Sequence, residues 1–434
     1  MNNSQQTTRA VTAAIIVAAL GYFVDIYDLI LFSIVRKPSL LALQVPVDQL
    51  KDVGGWLMNW QMGGMLLGGI LWGILGDRRG RLSVLFGSIL LYSIANISNG
   101  MVNSLPMYAV LRFIAGIGLA GELGAGITLV SEIMHRENRG YGTTIVASVG
   151  ILGAVAAWLV GDAFGWRNAF YVGGGMGLVL LVLRVSVYES GMFTAMKESD
   201  VARGSFFSFF SDANRRMRYL RCILIGLPLW FVVGILVFYG AEFGAALIIS
   251  RGPIPGTGFL HDGFALLASM TPPLVPDSGK AVMFCYIGLA AGDMASGLLS
   301  QILRSRKKTV LIFLMLTIVS VAVYLLNQGN SLSMFYALCV GLGIGSGYWA
   351  VFVTIASEQF GTNIRATATT TVPNFVRGTV VLLNAIFLPL SRTSLGVVGS
   401  AAVIGAVVIG VALMMLRGMD ETFGKDLDYV EGIS

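Results

Sequence analysis

Charge is scarce in this sequence: 12% of its 434 residues are Asp, Glu, Lys or Arg, while 56% are hydrophobic. That balance, with a mean hydropathy of +0.78, excludes an ordinary water-soluble domain. Histidine is scarcer still. The two present, His135 and His261, fall between apolar stretches, so a buried histidine proton relay has no candidate. Cys222, Cys285 and Cys339 stand far apart with no Cys-x-x-Cys spacing, which argues against a disulfide framework or a thiolate metal site. Neither His-Glu-x-x-His nor Gly-x-Ser-x-Gly occurs, so an intramembrane enzyme lacks its usual chemistry. The net charge of +6 has no soluble module through which to bind nucleic acid.

What is present is apolar length. Twelve stretches, from Val11–Val35 to Ser394–Leu416, are nearly all long enough to cross roughly 30 Å of hydrocarbon as helices. The first is too long for a cleavable signal peptide and reads as the first span. An even number of spans puts both termini on one side. Most of the 29 Lys and Arg residues fall in segments on that side, which predicts cytoplasmic termini.

One stretch organises the rest. From Arg112 the chain reads Arg-Phe-Ile-Ala-Gly-Ile-Gly-Leu-Ala-Gly-Glu-Leu-Gly-Ala-Gly and runs on to Ser131, Glu132 and Arg139. Glu122 therefore stands inside an apolar, glycine-rich helix, where a carboxylate is costly and marks function. Gly116 to Gly121 fits the dinucleotide expression G-x-G-x-x-G, but no βαβ context surrounds it; the small residues serve close helix approach. Ser131-Glu132 and Arg139 return as Ser357-Glu358 and Arg365 at a constant offset of 226 residues (132 to 358, 139 to 365). The chain thus reads as two copies of one unit, residues 1–190 and 220–434, joined by a connector over 191–219. The part of that connector from Thr194 to Arg218 mixes charge with Phe206, Phe207, Phe209 and Phe210 and predicts an interfacial helix.

Further charges lie inside spans. Asp25 and Asp28 share a helical face in the first span, with Tyr27 beside them. They read either as cavity-facing proton sites or as partners of neighbouring helices. Arg112 either snorkels to the surface or takes part in coupling. Span seven carries Trp230, then Phe238-Tyr239-Gly240, with Glu242 close to the outer surface. The connector from Ser250 to Lys280 holds five prolines and reads as irregular. Span eight brings Asp293, span ten Tyr348 and Trp349, and span eleven Asn374 and Arg377. An arginine midway down a span must be paired, here with Asp293, or be wetted by a cavity, or hold an anionic ligand.

Gly73, Asp77, Arg78, Gly80 and Arg81 match in order the G-x-x-x-D-R-x-G-R loop between spans two and three of the major facilitator superfamily, which this chain resembles over all twelve spans. The resemblance implies an all-α membrane protein of two pseudo-symmetric six-helix bundles. It also implies a cytoplasmic gate in which Asp77 and Arg81, beside Arg78, join Glu132 and Arg139, and by the repeat Glu358 and Arg365. A degraded copy of the loop survives as Arg304 and Lys307, at the same offset from Arg78 and Arg81. Gly165-Trp166-Arg167 and Glu189-Ser190 echo the sugar-porter and metabolite-proton-symporter branches.

Asp25-Ile26-Tyr27-Asp28 and the Ala-Gly-Glu at 120–122 are similar to sequences of proton-phosphate symporters, which casts Asp25 and Glu122, with Asp28 and Arg112, as proton-coupling groups. Those carriers place an acid in span seven where this chain has Gly234 and aliphatics, so phosphate fits poorly. Organic-anion members use an arginine in span eleven, and a guanidinium fork matches a carboxylate. The expected function is proton symport of a small organic anion, a carboxylate above all, by alternating access. Arg377 would hold it, with Tyr27, Trp230, Tyr239, Asp293, Tyr348, Trp349 and Asn374 around it. The alternative is an uncoupled uniporter or exporter of a neutral or cationic compound. No cofactor or metal is expected. The partners expected are substrate, proton and lipid bilayer, and the protein is expected to act as a monomer in a bacterial inner membrane.

Overall fold

In hydrocarbon a spanning segment must satisfy its own peptide groups, and for these long apolar runs the helix does so. The computed structural model describes residues 3–79, 81–124, 139–189, 206–248, 276–327, 331–425, 429 and 431–432, and has no strand among them. Only the backbone is described at 3–14, 77, 81–83, 139, 185–189 and 248.

The first bundle comprises α1 (Asn3–Ala42), α2 (Leu50–Arg79), α3 (Arg81–Asn99), α4 (Leu105–Leu119), α5 (Arg139–Ile151) and α6 (Gly153–Glu189). The reversal between the fifth and sixth passes falls inside α6 at Gly165. Its φ of 78° with ψ of 167° is open essentially to glycine alone. Arg167 then reaches the turn after α3, donating to Gly100 O at 2.8 Å and Asn103 Oδ1 at 3.0 Å. The Gly-Trp-Arg motif is thus a hinge and a tie.

In the second bundle, α7 (Ser208–Ser211) is a single turn. The seventh pass runs through α8 (Ala213–Leu224), α9 (Leu227–Phe231), a π-helical segment Val232–Val237 and α10 (Gly240–Ile248). There follow α11 (Ser278–Ile302), α12 (Arg306–Leu326), α13 (Leu332–Gly345) with α14 (Trp349–Glu358) as the tenth pass, α15 (Arg365–Leu390) and α16 (Gly396–Arg417). The result is a twelve-helix fold of two bundles.

The connector departs from expectation. Its last residues already belong to α8, which begins at Ala213 because the Asp212 carboxylate accepts from Arg215 N at 2.8 Å. Phe209 is buried and stacks on Tyr219 at 4.4 Å between centroids, and Phe206 packs on Phe375 of α15. Only Phe207 and Phe210 are exposed as an interfacial helix requires.

The bundles meet along α2 against α15 and α5 against α11. Small residues allow the approach: a Cβ on Gly73 would stand 3.1 Å from Thr367 Cα. Beyond α16, Glu421 accepts from Arg306 N at 2.9 Å and from Ser305, closing the start of α12. Burial pushes its carboxyl up, but these bonds outweigh burial and hold it below the usual carboxylate range.

Candidate functional site

Between the bundles lies a small cavity of about 20 Å³. Tyr22 and Ile26 of α1 and Ile151 of α5 line one side; Leu229, Trp230, Val233, Tyr286, Leu289, Trp349 and Arg377 line the other. The π-helical segment starts one residue after α9 ends, the kind of helix defect found at functional sites, and here Trp230 and Val233 on either side of its start both face the cavity.

Arg377 is the cavity's charge. It is 1% exposed, with its guanidinium carbon 5.3 Å from the Trp349 ring centre and 6.0 Å from that of Trp230. Nη1 donates to Asn374 Oδ1 at 3.3 Å, and Asn374 is held by its own bond to Ala120 O at 2.7 Å. Nη2 lies 3.8 Å from Asp25 Oδ2 across the bundle interface. That is an ion pair without a hydrogen bond: Arg377 Nε and Nη2 and both Asp25 oxygens have no hydrogen-bond partner among the described residues. A buried pair left this incomplete is poorly compensated for lost hydration.

Pairing of Arg377 with Asp293 is not what the fold provides. The tenth pass breaks after Gly345, and the Asp293 carboxylate accepts from Ala350 N at 3.2 Å in the first turn of α14. A helix start offers free N–H groups and a positive dipole end, which occupy this acid in place of the arginine.

The other candidates divide. Trp230, Trp349 and Asn374 stand at or beside Arg377. Tyr27 does not: its hydroxyl donates to Ala169 O at 2.9 Å inside the first bundle. Tyr348 likewise donates to Ile225 O at 2.8 Å, and Tyr239 to Asn384 at 3.0 Å, so both are spent on packing. Arg112 does not snorkel. It is fully buried, bonded to Gln61 and 4.7 Å from the Phe32 ring centre. Asp28 is fully buried in the same bundle. Glu122 is engaged by Arg184 of α6, one bond being 3.0 Å.

Arg184 was missed, although a signal existed. It stands inside the apolar run of α6, where a charge is costly, and is 7% exposed. Tyr22 and Tyr286 were missed for a different reason: nothing local separates a cavity tyrosine from a core one.

Of the expected gate, Glu132 lies outside the described residues, as do the side chains of Asp77, Arg81 and Arg139. Arg78 is exposed. Glu358 is buried but pairs with Arg306 at 3.3 Å, while Arg365 approaches Thr362 at 3.4 Å. Arg304 has taken a left-handed turn conformation (φ 47°) and Lys307 binds the carbonyls of Arg417 and Met419. Thus, among the described residues, Arg306, outside the repeat register, supplies a cation for Glu358.

Among the described residues, contacts between the bundles lie across both mouths of the cavity. On the side of the termini, Gly73 abuts Thr367, and the Thr143 and Thr354 hydroxyls meet at 3.0 Å. On the other side, Arg36 Nη2 reaches both Glu242 oxygens at 2.9 and 3.0 Å, Arg392 reaches Asp52 at 2.7 Å, and Asn384 donates to Asn59 at 2.9 Å. Glu242→Gln is expected to open this second mouth, raising the open fraction about tenfold, as about 1.4 kcal/mol of lost charged contact dictates. Labelling of a cysteine at Ile26 by an impermeant maleimide, in a background without Cys222, Cys285 and Cys339, measures it.

Comparison with known proteins agrees with this architecture. The model of the Major Facilitator Superfamily matches residues 18–378. This chain belongs to that superfamily. A Bacillus subtilis (strain 168) protein, NiaP, provisionally assigned as a niacin/nicotinamide transporter, is 26% identical over 416 residues, covering 93% of this chain and 95% of its own. The 3-(3-hydroxy-phenyl)propionate transporter of Escherichia coli (strain K12) is 25% identical over 372 residues, 83% and 84% of the two chains. Among solved structures, the proton:xylose symporter XylE bound to 6-bromo-6-deoxy-D-glucose superposes with a TM-score of 0.71 at 15% identity, covering 97% and 98%. The chain is a multi-pass membrane transporter of this superfamily and not an enzyme.

Proposed function

We propose that this transporter carries a small organic acid as its carboxylate, together with a proton, by alternating access. The observation that carries the reading is the incomplete Asp25–Arg377 pair, whose arginine lines an aromatic cavity. Support for the substrate class comes from relatives named for niacin, hydroxyphenylpropionate and, in Acinetobacter baylyi, cis,cis-muconate. In this closed form the cavity has room for about 20 Å³, little more than a water, so an acid enters it only as the bundles part.

Coupling follows from charge. Empty, the cavity holds Asp25 ionised beside Arg377 and is neutral. A substrate carboxylate competes with Asp25 for one guanidinium, and occluding both anions would bury a net negative charge, which is costly. A proton on Asp25 removes the competitor: Arg377 then binds the substrate carboxylate through its fork and the loaded cavity is neutral again. The two neutral forms are those that can occlude and move. The half-loaded forms, each with one net charge, are held back. Trp230 and Trp349 flank the ring of the acid.

We propose that the protein acts as a monomer. The excess of Lys and Arg on the terminal side supports the proposal that the termini are cytoplasmic, and we propose a bacterial inner membrane as its location.

Thermal stability of the purified protein against a panel of carboxylates, phosphates, sugars and amines, at pH 6 and pH 8, tests this. A carboxylate at about a hundred times its dissociation constant stabilises by roughly 2.7 kcal/mol. Stabilisation that is greater at pH 6 is expected; stabilisation by neutral or cationic compounds alone would sink the proposal.

A further inference from the structure

Beyond Arg377, the cavity wall carries a polar group whose bonding is unfinished. The Trp349 indole is 4% exposed and lines the cavity, and its N–H has no partner of full hydrogen-bond geometry among the described residues. It faces the Tyr22 hydroxyl of α1, another cavity residue, across the bundle interface, but only loosely. A buried donor left in this state is costly, so a wall that needed only apolar surface would do better with phenylalanine.

The indole is held in place. Trp349 is the first residue of α14, where the tenth pass restarts, and Asp293 grips that start, accepting from Ala350 N at 3.2 Å with Trp349 N also facing it. Asp293 thereby positions the indole. The ring packs on Phe352 at 5.2 Å between centroids, and its centre lies 5.3 Å from the Arg377 guanidinium carbon. Tyr22 is equally fixed, since a Cβ on Gly150 of α5 would strike its ring. Arg377 and Trp349 both belong to the second bundle, on α15 and α14, so their spacing persists when the bundles part to admit an acid. That spacing is about the span of one six-membered ring, so an acid seated on the guanidinium fork brings a ring edge to the indole.

An indole N–H donates and cannot accept. An atom with a lone pair and no proton suits it: a heteroaryl nitrogen, a ring carbonyl or an ether oxygen. A C–H in the same place leaves the donor buried and unpaired, the condition under which polar sites discriminate most strongly. We propose that the Trp349 N–H is a second recognition point, selecting planar carboxylic acids whose ring carries a proton-free acceptor, and that the Tyr22 hydroxyl closes on the same acceptor as the first bundle swings in. The inference rests on the carboxylate reading of the proposed function and narrows it. In the empty form Tyr22 faces the N–H loosely; with the acid bound its hydroxyl donates to the ligand, so both bundles touch one ligand atom. Occlusion is then favoured for acids that carry the acceptor.

Calorimetric titration of the purified transporter with benzoate, picolinate, nicotinate and isonicotinate tests this, because the last three replace one ring C–H of the first by a nitrogen that carries no proton at neutral pH. An apolar wall alone favours benzoate, the most apolar of the four. The wild type is expected to bind at least one pyridine acid about tenfold more tightly than benzoate. In Trp349→Phe both probes weaken as the wall shrinks, but the preference between them falls to within about twofold. In Tyr22→Phe the preference falls about threefold. A wild type that prefers no pyridine acid, or a preference that persists in Trp349→Phe, overturns the inference while the carboxylate reading stands. Where Trp349→Phe binds no probe, Tyr22→Phe decides alone: the lower preference upholds the inference and an unchanged one overturns it. If the wild type binds none of the four, the inference fails, and the carboxylate panel of the proposed function decides whether that reading falls with it.

Discussion

Arg377→Ala lowers affinity for a carboxylate probe about a hundredfold or more, the scale set by removing one partner of a buried charged contact. Arg377 is the one cation lining the cavity among the described residues, and its free fork of Nε and Nη2 has no protein acceptor to replace the substrate. Arg377→Lys keeps the charge and loses the fork, so an intermediate loss of about tenfold is expected. Quenching of Trp230 and Trp349 fluorescence on titration with niacin reads both. The alanine variant should still fold, since Asn374 keeps its bonds to Ala120 and Thr370 and Asp293 keeps its place at the start of α14. Unchanged affinity in the alanine variant would mean that the arginine serves only to balance Asp25.

Asp25→Asn has the second largest effect, and it separates binding from accumulation. The amide imitates the protonated acid and never competes for Arg377. Carboxylate affinity at pH 8 should therefore rise to the value that the wild type reaches at pH 6, and its pH dependence should vanish. In the wild type, affinity should fall by up to about tenfold per pH unit once Asp25 ionises. Exchange of substrate across the membrane persists in the variant, because the loaded cavity is neutral. Accumulation against a gradient fails, because the empty cavity now holds an unbalanced guanidinium and cannot occlude to return. Proteoliposome uptake with and without an imposed pH gradient distinguishes the two. Accumulation that survives the substitution would remove Asp25 from the coupling step.

The sequence disclosed the architecture because bilayers leave long apolar segments few options. Twelve apolar runs, one loop motif and the return of Ser-Glu and Arg at a fixed offset sufficed for two bundles. It also disclosed which side chains are costly: Asp25, Asp28, Arg112, Glu122, Asp293 and Arg377 are all at most 1% exposed. What it did not disclose was who meets whom. Partner choice between buried charges depends on helix rotation and on breaks such as the one between α13 and α14, which gave Asp293 a helix start to cap and freed Arg377 for Asp25. The same holds for Glu122 with Arg184, and for Glu358 with Arg306. The lock at the non-terminal mouth was invisible because Arg36, Asp52 and Arg392 look like ordinary loop charges until the chain is folded. Aromatic residues were the least legible. Of four predicted wall aromatics in the second bundle, Trp230 and Trp349 face the cavity while Tyr239 and Tyr348 hold helices together.

The central claim is that one guanidinium is shared between Asp25 and the substrate, so that binding a carboxylate requires a proton. Proton uptake on mixing purified transporter with niacin, followed by an indicator dye in weakly buffered detergent solution above neutral pH, tests it most directly. The account predicts about one proton taken up per niacin bound, and none in Asp25→Asn, as linkage between the two events demands. Saturable binding of niacin by the wild type with no proton uptake at any pH would contradict it.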